Sequence, residues 1–290
     1  MDAAERDAAY AATKWEPIQR RKNRGDNSIT LKAVRPNVGV EYAYRDALVS
    51  LLKQMHASML VHIAAAWKDA TPTIGVLATD DVNPAIQLKR TLNKWGRNWI
   101  SKFDAMSADL ARKFASRNFR ATDQSMKAAL KSANFTVQFK PTPASVEAYQ
   151  TVIANNIAQI KSIAPGFLKD VQDSVWSSVM RGGDLATLTK DLQKNYGVSA
   201  RRSAIIARTE NGRAKSLMES VRRKELGIDY AIWLHSAGGR VPRPSHIAMS
   251  GKKFEVSKGL YDSEVKRNVF PGELINCRCV SKAVLEGYND

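Results

Sequence analysis

The chain has 290 residues, 44% of them hydrophobic, enough to bury the core of one large domain or two smaller ones and too many for a disordered polymer. Forty-five Lys and Arg against 28 Asp and Glu leave a formal charge of +17 and a pI near 9.9, which predicts attraction to a polyanion such as nucleic acid or an acidic protein surface. No uninterrupted apolar run approaches the roughly 18 residues of a membrane span, the opening Met1-Asp2-Ala3-Ala4-Glu5 is acidic where a secretory leader is basic, and Cys277 and Cys279 sit too close for an unstrained disulfide; a cytoplasmic protein with reduced thiols is expected.

In chain order, residues 1–40 carry Pro17, Gly25, Pro36 and Gly39, which predicts short turns joined by loops in a mobile N-terminal arm. A basic run, Arg20, Arg21, Lys22 and Arg24, lies in it. Residues 41–68 read as a helix, because Leu48, Leu51, Leu52, Met55, Met59 and His62 or Ile63 recur at three- and four-residue spacings. His56 and His62 are expected there as packed, hydrogen-bonded histidines. After a break from Pro72 to Pro84, a second long helix begins near Ala85, with Trp95, Trp99, Phe103, Met106, Leu110 and Phe114 as one core stripe. Base-stacking platforms are the alternative role for those rings.

Between Ala85 and Lys140 the net charge is +9, over half the total, so Lys94, Arg97, Arg112 and Lys113 are candidate contacts to double-stranded DNA; a solvated helix face is the competing reading. Phe135-Thr136-Val137-Gln138-Phe139 alternates apolar and polar and predicts a short strand. Helix resumes after Pro143, capped near Ala144 or Ser145, with Val152, Ile153, Ile157, Ile160 and Ile163 inward and a stop at Pro165-Gly166. Another helix runs from Leu168 to Gly182-Gly183, and Asp184 caps a third that ends at Tyr196-Gly197.

Ser199 is the expected N-cap of the helix carrying Ala207-Arg208-Thr209-Glu210. Arg201, Arg208, Lys215 and Arg222 recur every seven residues, which predicts one basic stripe and adds four candidate nucleic-acid contacts. Glu210 falls toward the apolar side, where a carboxylate needs a partner; Arg213, Arg243 and Arg278 are the candidates, and an ion pair is favoured over a catalytic acid or base. Beyond Gly227 the period changes. Strands are expected over 230–235, 253–256 and 278–285, with Ser245 capping a helical turn at His246, and a small sheet burying Trp233, Ile275 and Val280. The expected fold is mainly α, with a long-helix N-terminal region and a smaller α+β C-terminal domain containing a short sheet. The divisions are a mobile arm at 1–40, a helical scaffold with basic helices at 41–197, and a C-terminal domain at 198–290.

His246, Cys277 and Cys279 are potential zinc ligands, with His235 as a possible fourth. A Cys-x-Cys pair is tighter than the usual spacing, so the favoured reading is a polar core: His246 bonded to backbone, the cysteines as small buried fillers, and Arg278 paired with an acid such as Glu210.

The array Ala207-Arg208-Thr209-Glu210, Trp233, Arg240 or Arg243 with Pro244-Ser245-His246, Gly251, and Pro271-Gly272-Glu273-Leu274-Ile275-Asn276-Cys277-Arg278-Cys279 resembles the phage Mu protein F-like head morphogenesis family over roughly residues 130–285. The structural motif it marks here is Glu210, Trp233, Arg243, His246, Asn276, Cys277, Arg278 and Cys279. In the turn where many relatives carry an acidic residue, this chain has Ala237-Gly238-Gly239. The resemblance implies a minor capsid protein, not an enzyme. It would associate with the portal and with capsid or scaffolding proteins, lie beside non-specifically bound double-stranded DNA, and need no membrane. It would be made in the host cytoplasm and end in the virion head interior. The alternative is a nuclease or other toxin-like hydrolase acting through Glu210, His246 and Cys277, although no phosphate loop, His-Glu-x-x-His or paired acidic cluster accompanies them. A host DNA-binding regulator lacks a convincing recognition helix.

Overall fold

The computed structural model describes residues 28–69, 84–181, 185–236, 238 and 241–287. The arginine-rich run at 20–24, the expected Asp184 cap and Arg240 lie outside them. Four long helices come first after a three-residue strand: β1 (Ser28–Thr30), α1 (Val38–Asp69), α2 (Pro84–Lys131), α3 (Pro143–Met180) and α4 (Leu185–Glu225). Then follow β2 (Tyr230–Leu234), α5 (Pro244–Met249), β3 (Lys253–Glu255), β4 (Leu260–Asp262), β5 (Arg267–Val269) and β6 (Val280–Glu286). The mainly helical architecture with small antiparallel sheets near the C-terminus is the expected one.

The chain forms two compact units. One comprises the described residues within Met1–Glu41, Lys113–Ile153 and Arg208–Asp290; the other, those within Tyr42–Arg112 and Ala154–Ala207. Each boundary falls inside a helix. Within the second unit, Leu48, Leu51, Leu52, Met55, Met59 and Ile63 of α1 are buried, as their spacing requires. The Val38–Ala66 stretch is the one described segment long and apolar enough to cross a membrane, but that apolar stripe packs inside the protein. His56 is buried, hydrogen-bonded to Gln193 Oε1 at 3.1 Å and stacked on Tyr196. His62 is exposed and leaves the stripe to Ile63. Trp95 and Trp99 both donate their indole N–H to Ser58 Oγ, whereas Met106 turns out to solvent.

Two expected stops and one expected helix start did not interrupt the helices. Helix α3 runs through Pro165-Gly166, and α4 runs through Gly197 and past Ser199, which is buried in mid-helix. An interior proline costs about 3 kcal/mol and a glycine about 1. Burial of Ile160, Ile163, Ala164, Phe167 and Val171 around the first, and of Leu188, Leu192, Ile206 and Ala207 around the second, outweighs those costs at about 1.5–3 kcal/mol per large side chain. The start of α3 was legible: Thr142 and Ser145 exchange reciprocal capping bonds, Ser145 N–H to Thr142 Oγ1 and Thr142 N–H to Ser145 Oγ.

In the first unit the sheet order is β1-β6-β2-β3, all antiparallel, with Tyr230 opposite Val284 and Leu234 opposite Val280; β4 and β5 form a separate hairpin. Ser28–Thr30, placed by the sequence in a mobile arm, is an edge strand on β6, and the following Leu31 and Val34 are buried. The strand expected at residues 135–139 does not form. Their alternation serves packing instead, since Phe135, Val137 and Phe139 lie against the cluster of Leu31, Leu130, Ile228, Ala283 and Leu285. Trp233 and Val280 are buried in the sheet region as expected, while Ile275 is exposed.

Candidate functional site: the helix-seated Cys-x-Cys loop

The Ala207-Arg208-Thr209-Glu210 helix and the Pro271–Cys279 loop are one structural device. Gly212 of α4 has no side chain because the loop lies on it: a β-carbon there would stand 3.2 Å from the Gly272 carbonyl oxygen and 3.6 Å from that of Cys277. Gly272, at φ +89, reciprocates with a β-carbon position 3.2 Å from the Gly212 oxygen. Around this contact the Asn276 N–H donates to Thr209 Oγ1 at 2.9 Å and Arg213 Nε donates to the Glu273 carbonyl at 2.7 Å. Arg208 donates to Asn276 Oδ1 at 3.0 Å and to Glu41 Oε1 at 3.2 Å. Asn276 sits at φ +59, a left-handed conformation that asparagine tolerates better than most side-chain-bearing residues. Gly272→Ala is expected to lower the melting temperature by several degrees in a thermal scan, because it combines a left-handed φ with a contact tighter than its backbone neighbour can yield.

Glu210 is buried and paired with Arg213 at 2.9 Å; neither Arg243 nor Arg278 reaches it. Arg278 instead donates to the Gly238 carbonyl, and Arg243 to that of Ile275 at 3.0 Å. Burial holds the Glu210 carboxyl above the usual glutamate range despite Arg213. Such a group contributes stability that is present in full below its unfolded pKa near 4.5 and is lost as pH rises through the folded value. Glu210→Gln is therefore expected to keep or raise the melting temperature at pH 7 and to remove that part of the acid-side gain, read by melting scans across pH 4 to 8.

His235 at the end of β2, His246 in α5, and Cys277 and Cys279 before β6 are brought together. Cys277 Sγ and Cys279 Sγ lie 3.4 and 3.5 Å from His246 Nδ1, and Cys279 Sγ lies 3.7 Å from His235 Nδ1. Both cysteines are free thiols, buried with His246. His246 does not bond to backbone as the sequence suggested; its Nε2 meets Asp262 Oδ2 at 3.1 Å, and Asp262 is fully buried. Hydrogen bonding from Cys279, and then from His246, brings the Cys277 thiol down to about 4, while Cys279 is pushed up by the same partnership. Burial opposes charge on His246, but the Cys277 contact raises its pKa. Asp262 had no sequence signal, since an acid at the end of a short strand is ordinary; Gly212, isolated inside a helical pattern, did carry one.

A cavity of about 500 Å³ borders this cluster, lined among others by Arg208, His235, Arg243, His246, Asn276 and Cys279. Of the Glu210, His246 and Cys277 set of the hydrolase alternative only His246 lines the cavity, and Glu210 is paired with Arg213.

The candidate nucleic-acid residues separate by burial. Lys94, Arg97, Arg112, Lys113 and Arg201 are exposed, and Arg208 is half-buried against Glu41 and Asn276. Lys215 and Arg222 are only 2% and 4% exposed and are held in ion pairs, which withdraws them as DNA contacts. The seven-residue repeat passes from exposed Arg201 through half-buried Arg208 to buried Lys215 and Arg222, so it is not one surface stripe.

Residues 169–282 match the family model described as Phage Mu protein F like protein. Through this region the chain is similar to the Mu F-like family. The matched span contains α4, the cysteine loop and all four side chains of the His235, His246, Cys277 and Cys279 cluster. A Haemophilus influenzae protein described as uncharacterized is 27% identical over 273 residues, covering 91% of this chain and 58% of that protein. The chain thus spans 58% of that relative's length. No solved structure matches.

Proposed function

We propose that this Mu F-like protein is a minor capsid component, associated with the portal inside the prohead, that contacts packaged double-stranded DNA and supports assembly, packaging or ejection. The observation that carries the reading is the Mu F-like match over residues 169–282. It acts by binding, not by catalysis; the pairing of the buried Glu210 carboxylate with Arg213 favours this over the hydrolase alternative. The protein would be made in the host cytoplasm and finish in the head interior. Fractionation of proheads and virions from the encoding phage should recover it with the portal; absence from both fractions would sink the proposal.

DNA contact has its own support in the exposed basic residues of α2. In the first unit, Lys113, Arg117, Arg120, Lys127 and Lys131 step by three, four or seven residues along one solvent-facing line, with only Gln124 between Arg120 and Lys127 at the same spacing. Each phosphate neutralised contributes about −0.9 to the log–log salt slope. Replacing Arg117, Arg120 and Lys127 by glutamine is expected to weaken binding to random-sequence duplex DNA and to flatten that slope by up to about 3. A titration at two salt concentrations with an unchanged slope would remove this face from the DNA contact.

A further inference from the structure

We propose that His246, Cys277 and Cys279 hold a zinc ion, with His235 closing the tetrahedron. Tetrahedral zinc has Zn–S bonds of about 2.3 Å and Zn–N bonds of about 2.0–2.1 Å, which sets its sulfur and nitrogen ligands roughly 3.5 Å apart. The three sulfur-to-nitrogen separations, 3.4, 3.5 and 3.7 Å, have that spacing. The ligand atoms of His246, Cys277 and Cys279 all lie within 4.8 Å of one another, and His235 joins through Cys279.

The surroundings suit an ion as well as the ligands do. His246 presents Nδ1 to the sulfurs while Nε2 meets the buried Asp262 carboxylate, the arrangement that fixes the tautomer of a metal-bound imidazole. Asp262 is itself held, accepting the Glu264 N–H at 2.8 Å. The Trp233 indole N–H is buried among the same residues and directed at Cys279, whose metal-held thiolate sulfur would be its acceptor. The need is mechanical. Three of the strands here have three residues each, and the local core is small, so joining the end of β2, α5 and the cysteine loop through one ion supplies a staple that packing alone provides weakly. The ligands come from separate segments, which is why the Cys-x-Cys spacing alone argued against a site.

Full-length protein purified without a metal-affinity step should carry about one equivalent of zinc by elemental analysis. Its two thiols should react with a thiol reagent slowly until a strong chelator is added, and chelation should lower the melting temperature reversibly. Stripped protein loaded with cobalt should show the intense ligand-field absorption of a tetrahedral thiolate site. Cys277→Ser and Cys279→Ser should each lose the metal, and Asp262→Asn should weaken it about 10- to 100-fold in a chelator competition. Because a cysteine variant that fails to fold would not separate the readings, the decision rests on the unaltered protein. Zinc far below one equivalent, no uptake on titration and thiols equally reactive with and without chelator would overturn the site and leave a hydrogen-bonded thiol–imidazole cluster.

Discussion

Glu219→Ala is expected to destabilise the protein by about 3–5 kcal/mol, the cost of breaking a buried ion pair from one side. Lys215, Glu219 and Arg223 follow one another at four-residue spacing on α4 and are 2%, 3% and 4% exposed. The single carboxylate takes Lys215 Nζ on one oxygen and Arg223 Nη2 on the other, both at 2.5 Å. Arg223 also donates to Ser281 Oγ at 2.8 Å and to the Ser281 carbonyl, tying α4 to β6. Two buried cations thus share one anion. Burial pulls both Lys215 and Arg223 below their ordinary values, Glu219 opposing the shift. With Glu219 gone, Lys215 sheds its proton more easily than either cation can reach water. The unfolded chain then binds the extra proton at neutral pH, so the deficit should shrink as pH rises toward the ordinary lysine value of 10.5. Lys215→Met removes the surplus cation and leaves a matched pair; it should cost less than about 1.5 kcal/mol and could stabilise. Chemical denaturation of the three proteins at pH 7 and pH 9 tests both statements. A Glu219→Ala protein within about 1 kcal/mol of the parent would mean that water reaches the cluster.

That cluster marks where sequence reading ran out. Periodicity located α1 because Leu48, Leu52, Met55, Met59 and Ile63 are apolar, and apolar residues at helical spacing have one stable destination. A lysine or arginine at the same spacing has two. Lys215 and Arg222 read as a solvated basic stripe because their acids come from elsewhere: Glu219 and Glu225 on the next turn, and Asp123 from a helix nearly a hundred residues away in sequence. The continuation of α3 through Pro165 and of α4 through Gly197 failed for a related reason, since a local breaker is a cost whose offset is tertiary burial. The candidate site was more legible than the helix boundaries. Ala207-Arg208-Thr209-Glu210 and the Pro271–Cys279 run were singled out by their chemistry, and they do lie together, joined by Thr209, Gly212 and Asn276. What the sequence could not show was the third segment, because Asp262 gives no signal until it stands against His246.

Arg222→Ala is expected to cost about 3–5 kcal/mol while leaving the salt slope of DNA binding unchanged. Arg222 makes a two-pronged contact with Asp123, Nε to Oδ1 and Nη2 to Oδ2, each at 3.0 Å. Its Nη1 donates at 2.8 Å to both Glu225 Oε2 and the Lys140 carbonyl, and its guanidinium lies 4.8 Å from the Phe139 ring centroid. Burial opposes the charge, yet the hydrogen bonds and charges of Asp123 and Glu225 more than offset it and raise its pKa. Truncation leaves two carboxylates and a carbonyl without their shared donor and removes the body on which Phe139 rests. Lysine restores the charge but not the planar fork, so Arg222→Lys should recover only part of the loss. Arg117→Gln, on the exposed line of α2, should behave oppositely: stability within about 0.5 kcal/mol of the parent, and weaker DNA binding with a smaller slope. Measured on the same preparations, unfolding free energy and salt slope separate the two kinds of basic residue. A slope that falls with Arg222→Ala at unchanged stability would return the α4 residues to the DNA contact and overturn their assignment to the core.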